Sequence, residues 1–263
     1  MKILLTATGF IGKELKSLLT QGHKLIVVSR NKAKASSIFG SAIQVLTREK
    51  INSISLQIEC VIHLASSLSD FPRNKTKKAI MRDSRIDTTR FLVNSLPDSC
   101  HSFICGSAIG YYPTDPEEFD IDFINTDPSF LEQLCVDRES EANRAKTTKR
   151  RVVRLRTIVI PDKFDRLMRT TTKRIGVILS EQRMSLITRD KRISNCIKIV
   201  NNLSIKGPVN MVHTHIRHEE YIINLAKELN RPVRPKIPSW IIKTLLDASV
   251  LMLGSQKITP TTF

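Results

Sequence analysis

The feature that most constrains this chain is its opening, where the apolar run Lys2-Ile3-Leu4-Leu5-Thr6 passes directly into Thr6-Ala7-Thr8-Gly9-Phe10-Ile11-Gly12. A short apolar run is the pattern of a strand buried on both faces, and residues 11–19 then carry apolar side chains at helical spacing. A second run, Lys24-Leu25-Ile26-Val27-Val28-Ser29-Arg30, closes a βαβ unit. Strand, tight turn and helix in this order suit one ligand chemistry above others. Backbone N–H groups can approach a pyrophosphate there, because glycine puts no Cβ in the way. Gly9 and Gly12 supply two such positions, and the usual first glycine falls where this chain has Thr6 or Ala7. The expected dinucleotide contacts of the turn are Thr6, Thr8, Gly9, Phe10, Ile11 and Gly12.

The end of the second strand selects between dinucleotides. An acidic residue there takes the ribose hydroxyls of NAD, but this strand ends Ser29-Arg30-Asn31-Lys32. A guanidinium suits a 2′-phosphate, so Arg30, with Asn31 and Lys34 beside it, predicts NADP(H) in preference to NAD(H). The competing reading is that residues 30–34 are a solvated loop and the start of a helix.

The remaining pattern alternates. Residues 33–39 read as a helix, 43–46 as a strand, and 60–65 as a strand ending in Ala65-Ser66-Ser67. Small residues let a ligand approach the backbone, which adds Ala65 and Ser66 to the expected cofactor contacts. Residues 75–96 form a long helix with a basic outer face, on which Arg82 and Arg85 could hold an anionic substrate. His101-Ser102-Phe103-Ile104-Cys105 is a fifth strand running into Gly106-Ser107-Ala108; residues 113–128 are an acidic, proline-bearing loop expected to be mobile. A helix at 130–145 and a strand at 151–157 follow. The sum is an α/β fold, a Rossmann doubly wound parallel sheet with a small C-terminal α/β lobe. The boundary divides an NADP-binding domain at 1–160 from a substrate-side lobe at 161–263 that shares the sheet. In that lobe we expect two helices around a short strand at 161–200, a strand at 208–212, and helices at 219–229 and 240–253.

Composition narrows the partners. Lys and Arg number 42 against 25 Asp and Glu, a net charge of +17, which attracts polyanions. The basic residues are spread along the chain and aromatic residues make up 5%, so nucleic-acid binding is the weakest reading. No run approaches the ~20 apolar residues of a membrane helix, and the N-terminus lacks the features of a secretory signal; a cytoplasmic location is expected. Cys60, Cys100, Cys105, Cys135 and Cys196 are scattered without a C-x-x-C pair, which predicts free, buried thiols. His213, His215 and His218 have the spacing of a metal cluster on what reads as a loop, but no group is assigned to orient them, and no metal is expected.

Several segments together resemble the atypical and extended short-chain dehydrogenase/reductases, specifically the NAD-dependent epimerase/dehydratase-like family with its own small C-terminal domain. They include Lys2 to Leu15, Val61-Ile62-His63-Leu64-Ala65, Gly106-Ser107-Ala108-Ile109-Gly110-Tyr111-Tyr112, Leu155-Arg156-Thr157, Gly207-Pro208-Val209-Asn210-Met211-Val212 and Ser255-Gln256-Lys257. The resemblance spans nearly the whole chain and implies oxidoreductase or sugar-nucleotide-epimerase-like chemistry on a small substrate. In active members of the wider superfamily a tyrosine and a lysine four residues later transfer the proton while a serine orients the substrate. The matching serine is Ser107, but the tyrosine and lysine positions fall on about Leu131 and Cys135, so the dyad is missing. Tyr111 is the candidate to stand in; otherwise it is an aromatic wall to the cofactor pocket. Cys135, lacking a neighbouring base, reads as packing rather than as a nucleophile. The family's glycine-rich stretch after the sixth strand is also replaced here by a basic, glycine-poor one. A second reading therefore stands beside the enzyme: an NADP(H) sensor or scaffold without catalysis.

Overall fold

The computed structural model describes residues 1–16, 22–40, 43–51, 57–65, 75–115, 117–158, 183–228 and 256–263. Seven strands form one sheet: β1 (Lys2–Thr6), β2 (Lys24–Val28), β3 (Gln44–Leu46), β4 (Cys60–His63), β5 (Ser102–Ala108), β7 (Arg151–Thr157) and β9 (Gly207–Met211). Their order is β3-β2-β1-β4-β5-β7-β9 and every pairing is parallel. The order reverses between β1 and β4, and a crevice opens outside the carboxyl ends of strands at such a reversal.

Alternation along the strands sends side chains to two layers. Ile3, Leu5, Val27, Ile62, Ile104, Leu155 and Met211 pack with residues of α2 (Lys32–Phe39) and α5 (Arg189–Asn201). Leu4, Ile26, Val61, Phe103 and Val152 pack against α3 (Lys75–Asn94) and α4 (Phe130–Asn143). Helix α4 starts with a capping box in which Ser129 and Glu132 satisfy each other's backbone N–H groups. The short α1 (Phe10–Glu14) is tied to α5 by a buried ion pair, Arg192 Nη2 to Glu14 Oε2 at 2.7 Å, with Arg189 Nε 3.0 Å from Glu14 Oε1. Removing one partner of such a pair leaves a charge buried alone, so this tie fixes the helix behind the glycine turn.

The structure revises several sequence expectations. The acidic segment after Tyr112 is anchored: β6 (Glu118–Phe119) pairs in parallel with β11 (Lys257–Ile258), and Phe119 and Phe123 pack on the Tyr112 ring. Aromatic burial outweighs the proline and acidic signals that suggested a mobile loop. The histidine segment is a strand, because β10 (Thr214–Arg217) pairs antiparallel with β8 (Arg183–Leu186). That pairing places His215 Nδ1 3.2 Å from Ser185 Oγ, and α6 (His218–Glu228) follows at once. The expected first-helix residues 17–19, Ser66, Ser67 and the helix at 240–253 lie outside the described residues. All five cysteines are free.

Candidate active site

The glycine turn is built on steric grounds that the structure makes explicit. A Cβ on Gly12 would lie 2.1 Å from the Ala7 carbonyl oxygen, so Gly12 is what lets α1 pack against the end of β1. A Cβ on Gly9 would meet nothing within 4 Å, which leaves the backbone there open to a ligand. Ala7 thus occupies the first position of an Ala7-x-Gly9-x-x-Gly12 turn, with Gly9 at the phosphate-approach position and Gly12 at the helix-packing position. Thr8 and Ile11 are half-buried beside them.

Thr6 is committed inward. Its hydroxyl lies 2.7 Å from His63 Nδ1, and His63 Nε2 is 3.1 Å from the Thr89 hydroxyl. Thr89 donates its own proton to the Arg85 carbonyl oxygen, so it accepts from His63 Nε2–H. Nδ1 of the neutral ring is then bare and accepts from Thr6. Burial, with the Arg138 guanidinium adding to it, holds the His63 imidazolium well below the ordinary histidine range. Thr6 can therefore offer a pyrophosphate its backbone N–H but not its hydroxyl proton.

At the end of β2 the loop is closely organised. The Ser29 hydroxyl both donates to the Asn31 carbonyl and accepts from the Asn31 N–H, and Asn31 Oδ1 accepts from Lys34 N at 2.9 Å to cap α2. Arg30, Asn31 and Lys34 are all exposed, so the cap presents Arg30 outward at the start of α2.

The β5–β7–β9 end of the crevice contains a network that sequence reading did not find. Ser107 Oγ donates to Glu139 Oε1 at 2.7 Å. Glu139 is gripped by Arg156 through two bonds, Nε to Oε1 at 2.9 Å and Nη2 to Oε2 at 3.0 Å, while Arg154 Nη1 stands 3.5 Å from Oε2. Arg156 Nη1 donates to the Tyr112 hydroxyl at 2.8 Å, and that hydroxyl donates to Asn210 Oδ1 at 2.7 Å. The Arg156 guanidinium also covers the Tyr111 ring, 3.5 Å from its centroid. Burial alone would lower the Arg156 pKa, but the hydrogen bond and charge of Glu139 outweigh it and raise the group above its usual value. Burial pushes the Tyr112 phenol up, so it stays protonated as a structural donor.

The residue of α4 that reaches Ser107 is therefore Glu139, and Cys135 lies one turn earlier, its Sγ 3.8 Å from where a Cβ on Gly110 would stand. Burial pushes the Cys135 thiol up to about 12, which leaves it a neutral packing group. Two segments singled out in the sequence also meet here: Gln256 Nε2 donates to the Tyr112 carbonyl at 3.0 Å, and Lys257 pairs with Glu118. Arg82 pairs outward with Asp137 at 3.4 Å, whereas Arg85 turns inward and donates to its own helix at the Met81 carbonyl.

A parallel sheet with its order reversed at β1 and β4, and a glycine turn opening at that reversal, defines a Rossmann-type dinucleotide fold. Residues 3–169 match the NAD dependent epimerase/dehydratase family, and the chain belongs to it. An epimerase family protein of Mycobacterium leprae is 24% identical over 268 residues, covering 96% of this chain and 86% of that protein. The crystal structure of the human epimerase family protein SDR39U1 with NADPH superposes with a TM-score of 0.83 at 22% identity, covering 99% of this chain and 91% of that one. UDP-glucuronic acid 4-epimerase from Bacillus cereus in complex with NAD gives 0.74 at 17% identity, covering 100% and 94%. No helix among the described residues is long and apolar enough to cross a membrane.

Proposed function

We propose that the protein binds NADP(H) across the ends of β1 and β4 and acts as an oxidoreductase or sugar-nucleotide-epimerase-like enzyme on a small substrate held at Ser107 and Tyr111. The observation that carries the reading is the fixed direction of the Ser107 hydroxyl. Its proton goes to Glu139, so its free lone pairs can accept a hydrogen bond from a substrate hydroxyl in the crevice. Arg156 holds Glu139 in place through two hydrogen bonds, and its cover over the Tyr111 ring fixes that ring. The nicotinamide would supply hydride exchange when bound. Thr8, Gly9 and Gly12 would hold its pyrophosphate, Ala65 would approach it by backbone, and Arg30 with Lys34 would take the 2′-phosphate. Human SDR39U1, similar in fold, was crystallised with NADPH, which agrees with the preference read from Arg30.

The sensor or scaffold reading is favoured by a different observation. The turn of α4 facing the 3-10 segment Ile109–Tyr111 and Ser107 carries Cys135 and Glu139, and neither can replace a tyrosine–lysine dyad. Calorimetric titration with NADPH and NADH tests the shared requirement. Wild type is expected to bind NADPH with a dissociation constant on the order of micromolar. Arg30→Ala should weaken NADPH about tenfold and leave NADH unchanged, the effect of one charge-assisted phosphate contact. Gly9→Val, which clashes with no protein atom within 4 Å at its Cβ, should fold normally and bind neither nucleotide. Absence of binding by wild type would remove both the enzyme and the sensor readings.

A further inference from the structure

The interior between β4, α3 and α4 contains a charge that no described residue balances. Arg138 on α4 is 6% exposed, its Nη2 donates to the Ala65 carbonyl oxygen at 3.1 Å, and its Nε is buried without a hydrogen-bond partner. Among the described residues no carboxylate pairs with it. Glu139, its neighbour in sequence, is taken by Ser107, Arg156 and Arg154. The Arg138 charge acts on His63, Arg85, Cys105 and Cys135, and Cys105 also hydrogen-bonds Arg138; none of these four is an anion. Arg85 is itself half-buried, has no carboxylate partner among the described residues, and uses only the carbonyl of Met81.

A guanidinium held out of water without a counter-charge among the described residues is costly, and an anion bound beside it would offset that cost. The location is specific. The carbonyl that Arg138 holds belongs to Ala65, at the carboxyl end of β4, and β4 and β5 run in register from Cys60↔Ser102 to His63↔Cys105, so Ala65 emerges beside Ser107. We propose that Arg138 and Arg85 form a subsite for an oxyanion, a carboxylate or phosphate group, of the ligand bound in the crevice at Ala65 and Ser107. The inference rests on the reading above only for the placing of that crevice. A guanidinium with free N–H edges bonds both groups bidentately, and its position beside the reacting end selects small anionic alcohols or their phosphates over neutral ones.

Thermal unfolding of the nucleotide-free protein in inorganic phosphate, against chloride at the same ionic strength, tests this while holding constant the general screening of a +17 chain. Wild type should gain about 3–5 °C at phosphate tenfold above its dissociation constant. Arg138→Met should lose that gain, and in chloride its midpoint should equal or exceed the wild-type value, because the uncompensated charge is gone. Arg85→Met, at a less buried position, should lose part of the gain and serves if Arg138→Met does not fold. Repeating the wild-type measurement with saturating NADPH separates the sources: a surviving gain assigns the anion to the substrate, and a lost one assigns it to the dinucleotide's own phosphates. An equal gain in wild type and variants, or none in wild type over chloride, would overturn the subsite. Failure of NADPH to bind would remove the preceding proposal and leave this one standing, since phosphate is read without nucleotide.

Discussion

The two ends of the crevice are made from different materials. At the β1 end the work is done by backbone: Gly12 is required by a 2.1 Å approach to Ala7, and Gly9 opens to free space. At the β5–β7–β9 end it is done by side chains drawn from distant parts of the chain, with Ser107, Tyr112, Glu139, Arg156 and Asn210 joined by bonds of 2.7 to 3.0 Å. A backbone site tolerates change in every residue that keeps the turn, whereas a buried polar network stands or falls as a unit. The two ends should therefore fail in different ways when altered.

The largest expected effect tests the network end. Glu139→Ala leaves the Arg156 guanidinium, 2% exposed as a residue, without its bidentate partner. Breaking a buried pair on one side costs about 3–5 kcal/mol, so urea unfolding should show a loss of that size. A loss under 1 kcal/mol would mean that Arg154, Tyr112 and water hold Arg156 equally well, and that the network is not a unit.

A smaller effect tests where the nucleotide end is joined to the core. His63, fully buried, links Thr6 at the end of β1 to Thr89 on α3 as a neutral ring. Its folded pKa is depressed by burial, while in the unfolded chain it takes its proton near ~6.5. The unfolded state thus binds more protons below that pH, and stability is full above it and falls as pH drops towards the folded value. The slope is at most about 1.4 kcal/mol per pH unit. Unfolding midpoints from pH 7.5 to 5.5 should decline in wild type and flatten in His63→Gln. A residual slope in the variant belongs to the half-buried His215, whose pKa burial also lowers.

This contrast also explains what could be read from the sequence. The parallel sheet and the glycine turn were legible because they depend on local periodicity and on residues within one short segment. Ser107 was found through the Gly-Ser-Ala context, yet its partner was not, since Glu139 is 32 residues away and looks like any helix carboxylate. The Tyr112 to Asn210 bond spans 98 residues and left no local signal. Residues 113–128 were misread as mobile because proline and acid are visible in a sequence, whereas the stacking of Phe119 and Phe123 on Tyr112 is not. Arg156 offered one usable clue: a charged residue in an apolar strand, Val152-Val153-Arg154-Leu155-Arg156, must be paired or be functional.

The smallest effect divides two adjacent tyrosines and decides which of them can do chemistry. Tyr112 is fully buried, and its hydroxyl accepts from Arg156 and donates to Asn210. Tyr112→Phe therefore strips two buried polar groups of a partner and should cost about 1–3 kcal/mol. Tyr111 is half-buried, its ring is held under Arg156, and no hydrogen bond of its hydroxyl occurs among the described residues. Tyr111→Phe keeps the ring and the cation contact, so stability should stay within about 0.5 kcal/mol of wild type. The same variant should retain NADPH affinity, because nothing at the β1 end depends on that hydroxyl. If it also retains full turnover on whichever substrate a screen identifies, Tyr111 is a wall of the pocket and another group handles the proton. If turnover falls while stability and nucleotide affinity hold, the phenol itself handles the proton.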